Sequence, residues 1–241
     1  AREAADMVLQ DDAFSTIVAA VRQGRVIFRN IRQFVYYLMS CNVGEVAVVG
    51  LATAVGTQLP ILPLQILFLN LVTDVFPALA LGVGEGDEGT MRRPPRDPSE
   101  PVLSRRHWIG IGGYGVVFAG AVLGALFWAT RGLGLEGEAA VTVSFLTLAF
   151  GQLWHVFNMR QPTSGVFSNE VTRNRYVWAA VGFCVLLLFG AVYIPGVGQV
   201  LEVQPPSAEA WGIIALMSLV PLGVGQVVLG VRRHIRGHEK R

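Results

Sequence analysis

Six long apolar stretches constrain the fold of this sequence more than any other feature. They cover residues 34–56, 62–81, 108–128, 141–156, 176–194 and 211–231. Each has, or nearly has, the roughly 17–25 residues that a helix needs to cross a bilayer. The chain is 52% hydrophobic and only 15% charged, whereas soluble domains carry about 25% charged residues. The sequence therefore predicts an all-α membrane protein built as a six-helix transmembrane bundle.

The basic residues indicate how such a bundle is oriented. Of the nineteen lysines and arginines, all except Arg131 lie in segments 2–32, 92–106, 160–175 and 232–241. In a six-span arrangement these segments share one side of the membrane, and the positive-inside rule makes that side cytoplasmic. We expect both termini inside, the lipid bilayer as a partner, and no nucleic-acid partner.

The N-terminal segment has a different character from the rest. The chain begins with Ala1 and shows no signal peptide, so we interpret it as the C-terminal part of a longer protein. A short strand is expected at Met7–Gln10, with Asp11 or Asp12 as the N-cap of the helix that follows. The helical pattern begins at Phe14 and continues without a proline into the first span, which predicts one long helix.

Polar side chains in the first two spans are the strongest sign of function. The only acids within the spans are Glu45 and Asp74, and a charged group there costs roughly 2.5–3.5 kcal/mol on insertion scales. A short turn at 57–63 makes the two spans antiparallel neighbours. Asn42 lies three residues before Glu45, and Asn70 and Thr73 precede Asp74 on one helix face. The spacing predicts a cluster of oxygen atoms between the helices.

Such a set of carboxylates, amides and a hydroxyl suits a hard cation such as Ca²⁺. Gly44 and Pro77 are expected to permit local distortion that frees backbone carbonyls as further ligands. Two alternatives remain open: hydrogen bonds that only hold helices together, and a proton relay between the carboxylates. Cys41 is expected to be a packing residue. Gln152, in the fourth span, either faces the same cavity or packs between helices.

Several runs resemble the C-terminal portion of a type II P-type ATPase of the calcium-pump (type IIA) group. The run AADMVLQDDAFSTIVAAVRQGRVIFRNIRQFVYYL is similar to the end of the phosphorylation domain and the stalk of the fifth helix. SCNVGE resembles the ion-site motif of that helix. LPLQILFLNLVTDVFPALALG resembles the sixth helix, and MRRPPRDPSEPVLS the loop after it.

The resemblance implies pump helices five to ten and assigns roles to matching positions. Asn42 and Glu45 would be calcium ligands on the fifth helix. Asn70, Thr73 and Asp74 would be ligands on the sixth, with Asp74 able to bridge two ions. Two-site calcium pumps carry a glutamate on the eighth helix, where this chain has Gln152. That departure removes a charge and a proton carrier, and it bears on ion stoichiometry and proton countertransport.

The resemblance also implies a division of the chain and of the pump. Residues 1–33 would be the end of the phosphorylation domain and the stalk, 34–231 the transport domain, and 232–241 a basic cytoplasmic tail. The motifs DKTGT, TGES, GDGxND and PEGL are absent. ATP and Mg²⁺ would therefore act only in the full-length pump, together with an N-terminal half, in cis or as a split chain.

We accordingly expect no ATP hydrolysis by this chain alone. The leading interpretation is the membrane half of a pump that exports Ca²⁺ across a prokaryotic plasma membrane. The alternatives are a non-catalytic membrane module or remnant, and a related pump for Mn²⁺ or a monovalent cation.

Overall fold

A single long helix begins the described part of the chain. The structure, a computed structural model, describes residues 8, 13–85, 89–92, 94–97, 99–162 and 164–238, with only the backbone for 235–238. Helix α1 runs from Phe14 to Val55, about 63 Å at 1.5 Å per residue. That length crosses a hydrocarbon core of about 30 Å and projects as far again beyond it. The predicted continuous helix is thus confirmed.

The two ends of α1 differ in how they are capped. At the C-terminus Gly56 adopts a left-handed conformation with φ of 72°, and its N–H bonds the carbonyl of Ala52, as helix C-caps commonly do. At the N-terminus the N-cap residue is Ala13, with no side-chain cap bond. The sequence predicts Asp11 or Asp12 in that role. Both aspartates lie outside the described residues, as does the predicted strand Met7–Gln10 apart from Val8.

The second span is broken into three parts. Helix α2 covers Pro63–Leu69, a π-helical segment covers Asn70–Asp74, and helix α3 covers Val75–Gly82. Pro77 explains part of this break, because proline has no N–H to bond the carbonyl four residues earlier. Wide π turns inside α-helices occur frequently at functional sites. The expected distortion of this span is confirmed.

Six further helices complete the described part of the chain. They are α4 (Arg105–Gly132), α5 (Gly137–His155), α6 (Arg175–Tyr193), α7 (Pro195–Leu201), α8 (Ala208–Ser218) and α9 (Val220–His238). Short 3₁₀ turns cover Thr90–Arg92 and Val156–Met159. Helices α8 and α9 together form the sixth span, interrupted at Leu219, two residues before Pro221. Pro221 has no N–H to bond the carbonyl of Met217 four residues earlier.

Six helical stretches are long and apolar enough to cross a membrane, as the sequence predicts. Within the described residues no strand is present, so the protein is an all-α, multi-pass integral membrane protein. Helix α5 lies at the centre: every residue from Ala140 to Leu153 is buried. It packs against α4, α8, α9, α6 and the π segment, while α1 packs along α4 and α3.

Two glycines let α1 and α5 approach the same side chain of α4. A Cβ at Gly44 would come within 2.9 Å of the Phe118 ring, and one at Gly151 within 3.3 Å. Gly44 does not distort α1, which is α-helical throughout, so that part of the expectation is wrong. Its consequence is instead close packing of α1 on α4, which sets the positions of the neighbours Glu45 and Gln152.

Candidate cation site

Glu45 of α1 is the hydrogen-bonded centre of the polar cluster. Its side chain is buried, with 3% of the residue exposed. One carboxylate oxygen accepts a hydrogen bond from Asn70 Nδ2 at 3.1 Å, and the other accepts one from Gln152 Nε2 at 2.9 Å. Three spans therefore meet at this carboxylate, and the predicted neighbourhood of the first two spans is confirmed.

Thr73 orients the amide of Gln152. Its hydroxyl oxygen lies 2.9 Å from Gln152 Oε1 and 2.9 Å from the carbonyl oxygen of Leu69. The Gln152 oxygen thus faces the second span while its NH₂ faces Glu45. Gln152 is fully buried and is hydrogen-bonded to Glu45 of the first span.

Asp74 lies in the same region with very different surroundings. Only 1% of the residue is exposed, and neither carboxylate oxygen has a nitrogen or oxygen hydrogen-bond partner among the described residues. Its polar neighbours include Glu45 and the Cys41 thiol. A buried carboxylate without a partner is costly, and a cation held at this position would remove that cost.

The π segment opens the backbone next to Asp74. Because Pro77 lacks an N–H, the carbonyl of Thr73 has no helical partner of its own there. It lies 3.1 Å from the hydroxyl of Tyr37, which is also 3.1 Å from the carbonyl of Gln152. The preceding carbonyl, of Val72, accepts from the Cys184 thiol at 3.1 Å. Side chains of α1 and α6 thus donate hydrogen bonds to carbonyls that would accept from a backbone N–H in a regular helix.

Asn42 is not joined to the cluster by a hydrogen bond. Its Nδ2 donates to the carbonyl of Leu38 on its own helix at 2.8 Å, and the side chain is only partly buried. The structure therefore brings together Glu45, Asn70, Thr73 and Gln152, with Asp74 beside them and Asn42 apart.

The donor types in this cluster are those of a hard cation. In the described part of the chain, no three His, Cys, Asp or Glu side chains converge as zinc or copper sites require. Two carboxylates, amide oxygens and a hydroxyl are the ligand types that Ca²⁺ and similar ions prefer.

Sequence reasoning missed residues that support the site. Cys41 lies beside Asp74. Cys184 and Tyr37 donate hydrogen bonds to backbone carbonyls. The sequence spacing of these three residues does not indicate those contacts. His155, one turn beyond Gln152, is fully buried. The centroid of its ring lies 4.1 Å from the centroid of the Tyr114 ring, and its Nδ1 lies 3.2 Å from Asn158 Nδ2.

Comparison with known proteins decides the family. The family model described as "Cation transporting ATPase, C-terminus" matches residues 58–229. This chain belongs to that family of cation-transporting ATPase C-terminal regions. The resemblance drawn from the sequence is confirmed.

Two relatives show how much of a longer protein this family region represents. The chain is 34% identical over 248 aligned residues to "Calcium-transporting ATPase 1" of Bacillus cereus, covering 95% of this chain and 27% of that protein. It is 38% identical over 226 residues to "Calcium-transporting ATPase" of Bacillus subtilis, covering 92% and 25% respectively. The chain thus spans about a quarter of the length of these relatives.

Proposed function

We propose that this chain supplies the membrane half of an ATP-driven pump that exports Ca²⁺ from the cytoplasm. The observation that carries the proposal is Asp74, a buried carboxylate with no nitrogen or oxygen partner among the described residues, beside a cluster of oxygen-bearing side chains. The two calcium-transporting relatives support the choice of Ca²⁺.

The proposed ligands are Asn42, Glu45, Asn70, Thr73, Asp74 and Gln152. Asp74 and Glu45 supply negative charge, and the other four supply neutral oxygens. In the observed arrangement the NH₂ groups of Asn70 and Gln152 face Glu45. Cation entry would replace these two donors at the Glu45 carboxylate, which frees both amides to turn their oxygens toward the ion.

The remaining parts of the pump lie outside this chain. We propose that residues 1–33 belong to the end of a phosphorylation domain and its stalk, 34–231 to the transport domain, and 232–241 to a basic tail. ATP and Mg²⁺ would act in the N-terminal half. The long α1 is suited to transmit movement of that half to Glu45, because it continues unbroken from Phe14 into the membrane.

The test is ion transport by the complete pump that carries this chain. Inside-out membrane vesicles should accumulate labelled Ca²⁺ when ATP is added, and excess Mn²⁺ or K⁺ should compete weakly. The Asp74→Asn pump should accumulate none. Uptake driven by ATP that is specific for Mn²⁺ or a monovalent cation would overturn the choice of Ca²⁺.

We further propose a prokaryotic plasma membrane and cytoplasmic termini, on the basis of the arginine distribution and the Bacillus relatives. Ala208→Cys, which leaves the Ser207 N-cap intact, should react with an impermeant thiol reagent only from outside. Ser99→Cys, in the loop after the second span, should react only from inside. Both native cysteines are buried and should stay silent; the reverse labelling pattern would contradict the orientation.

A further inference from the structure

A large cavity opens at the end of the bundle where the basic segments gather. It measures about 970 Å³ and lies between α1, α4, the 3₁₀ turn after α5, and α9. It does not include Glu45, Asp74 or the other proposed ligands, so it is separate from the cation site.

The polar part of this cavity is strongly basic. Five arginines line it: Arg29, Arg32, Arg106, Arg160 and Arg232. Among the described lining residues the only acid is Glu100, and it already pairs with Arg32 at 3.0 Å. Guanidinium groups remain charged in proteins and match the geometry of phosphate oxygens. The cavity therefore presents several positive charges with little compensating negative charge.

Two of these arginines are available to a ligand. Arg106 and Arg232 are exposed, and in the part of the chain that the structure describes neither makes a hydrogen bond or an ion pair. Arg160, by contrast, is held by Gln226 and by the carbonyl of Ser164. Arg106 and Arg232 can thus turn toward an anion without breaking existing hydrogen bonds.

Part of the cavity lining is apolar and exposed. Ile109 of α4 is 67% exposed, and Val224 and Val228 of α9 are 39% and 41% exposed. These residues lie in membrane-spanning helices, where the surrounding medium is lipid. Gly110 and Gly113 of α4 also line the cavity and add no side chain to fill it. An inorganic anion would use the arginines but would gain nothing from this wall.

We propose that this cavity binds the headgroup of an anionic phospholipid, with its acyl chains along the apolar wall of α4 and α9. Basic pockets between transmembrane helices are known to take such headgroups. The combination of arginines and an apolar lining selects a lipid over a free phosphate. The proposal is independent of which cation the protein transports.

The first test compares two pairs of neighbouring arginines with the same total charge. Arg106→Gln with Arg232→Gln removes two cavity arginines, whereas Arg105→Gln with Arg233→Gln removes two exposed arginines outside the cavity. The 241-residue chain is placed in nanodiscs containing phosphatidylglycerol and phosphatidylcholine, and retained lipid is counted by native mass spectrometry. The cavity pair should lower the preference for phosphatidylglycerol on the order of 30-fold, and the control pair should change it little.

Equal losses in the two pairs would overturn the proposal, because they would show only general attraction of anionic lipid to a basic surface. Retention of phosphatidylcholine as strongly as phosphatidylglycerol would overturn it as well.

The second test fills the cavity without changing its charge. Gly113→Phe places a ring in the cavity, at a position where an added Cβ meets nothing within 4 Å. Gly112→Phe is the matched control, since the adjacent Cβ is equally unobstructed and lies outside the cavity lining. Only Gly113→Phe should reduce phosphatidylglycerol retention. Inorganic phosphate at millimolar concentration should not displace the lipid; displacement by phosphate alone would identify an anion site and contradict a lipid site.

Discussion

Glu45 and Asp74 are buried carboxylates of neighbouring spans, and the structure surrounds them in opposite ways. Glu45 extends from an unbroken α-helix, and each of its oxygens accepts a hydrogen bond from an amide. Asp74 ends a π segment, and neither of its oxygens has a nitrogen or oxygen partner among the described residues. The comparison separates a carboxylate that neighbouring amides hold by hydrogen bonds from one that is available to the cation in the proposed function.

The backbone explains this difference. In α1 the helix is regular, and the side chains of Ser40 and Asn42 bond to carbonyls of their own helix, at 2.8 Å in each case. In the second span the helix opens, and its carbonyls are bonded instead by Tyr37 and Cys184. Tyr37 and Cys184 thus donate to carbonyls and not to Asp74, whose neighbouring donor is the weaker Cys41 thiol.

The largest effect is expected from Asp74→Asn. This change removes a buried carboxylate that has no nitrogen or oxygen partner among the described residues, and it keeps the shape of the side chain. Calcium affinity of the complete pump should fall by more than the roughly 10–100-fold that loss of a metal's outer partners costs. Equilibrium binding of labelled calcium measures it.

The control is Asp97→Asn, at an exposed loop aspartate whose pKa is lowered by hydrogen bonds from the hydroxyl and N–H of Ser99. It removes the same charge outside the membrane and should leave binding unchanged. Full calcium affinity in Asp74→Asn would mean that Asp74 is not a ligand.

A smaller effect is expected from Glu45→Gln. The new NH₂ group must face a donor, either Asn70 Nδ2 or Gln152 Nε2, so one existing hydrogen bond is lost. Calcium affinity should fall by about 10–100-fold, measured in the same binding experiment. Glu138→Gln, at an exposed acid on α5, is the control. A loss larger than that of Asp74→Asn would reverse the roles assigned to the two carboxylates.

The smallest change in affinity at neutral pH is expected from Gln152→Glu, which sharpens the comparison by adding a third acid. The new carboxyl group takes the place of the Gln152 amide, which lies 2.9 Å from Glu45. It can donate a hydrogen bond to Glu45 only when it is protonated, so the two carboxyl groups share a proton when no cation is bound. Calcium must displace that proton. Calcium affinity should therefore rise more steeply between pH 6 and pH 8 than in the wild type, because calcium binding releases about one more proton.

Labelled-calcium binding at the two pH values measures this change. An unchanged pH dependence in a folded Gln152→Glu protein would place residue 152 outside the ion's surroundings.

Sequence reasoning predicted much of this arrangement for a physical reason. Long apolar runs and charge alternation are local properties, so the six spans followed from them. The expectation that Asn70, Thr73 and Asp74 lie on one helix face followed from helical spacing. The bonding of Gln152, the isolation of Asn42 and the supporting contacts of Cys41 and Cys184 depend on how non-adjacent helices pack. Gly44 illustrates what the sequence alone does not reveal. A glycine within a span suggests a distortion of the helix, whereas the structure shows that the residue is small because the Phe118 ring packs against it.

The most direct test of the central claim is the unfolding free energy of the chain without calcium. In detergent micelles with a chelator, Asp74→Asn should be at least as stable as the wild type, because it removes a buried carboxylate that has no nitrogen or oxygen partner among the described residues. Glu45→Gln should lose about 1–3 kcal/mol, because it leaves a buried donor unsatisfied. Destabilisation by Asp74→Asn together with no effect of Glu45→Gln would contradict the account, since it would make Asp74 the carboxylate that holds the three spans together.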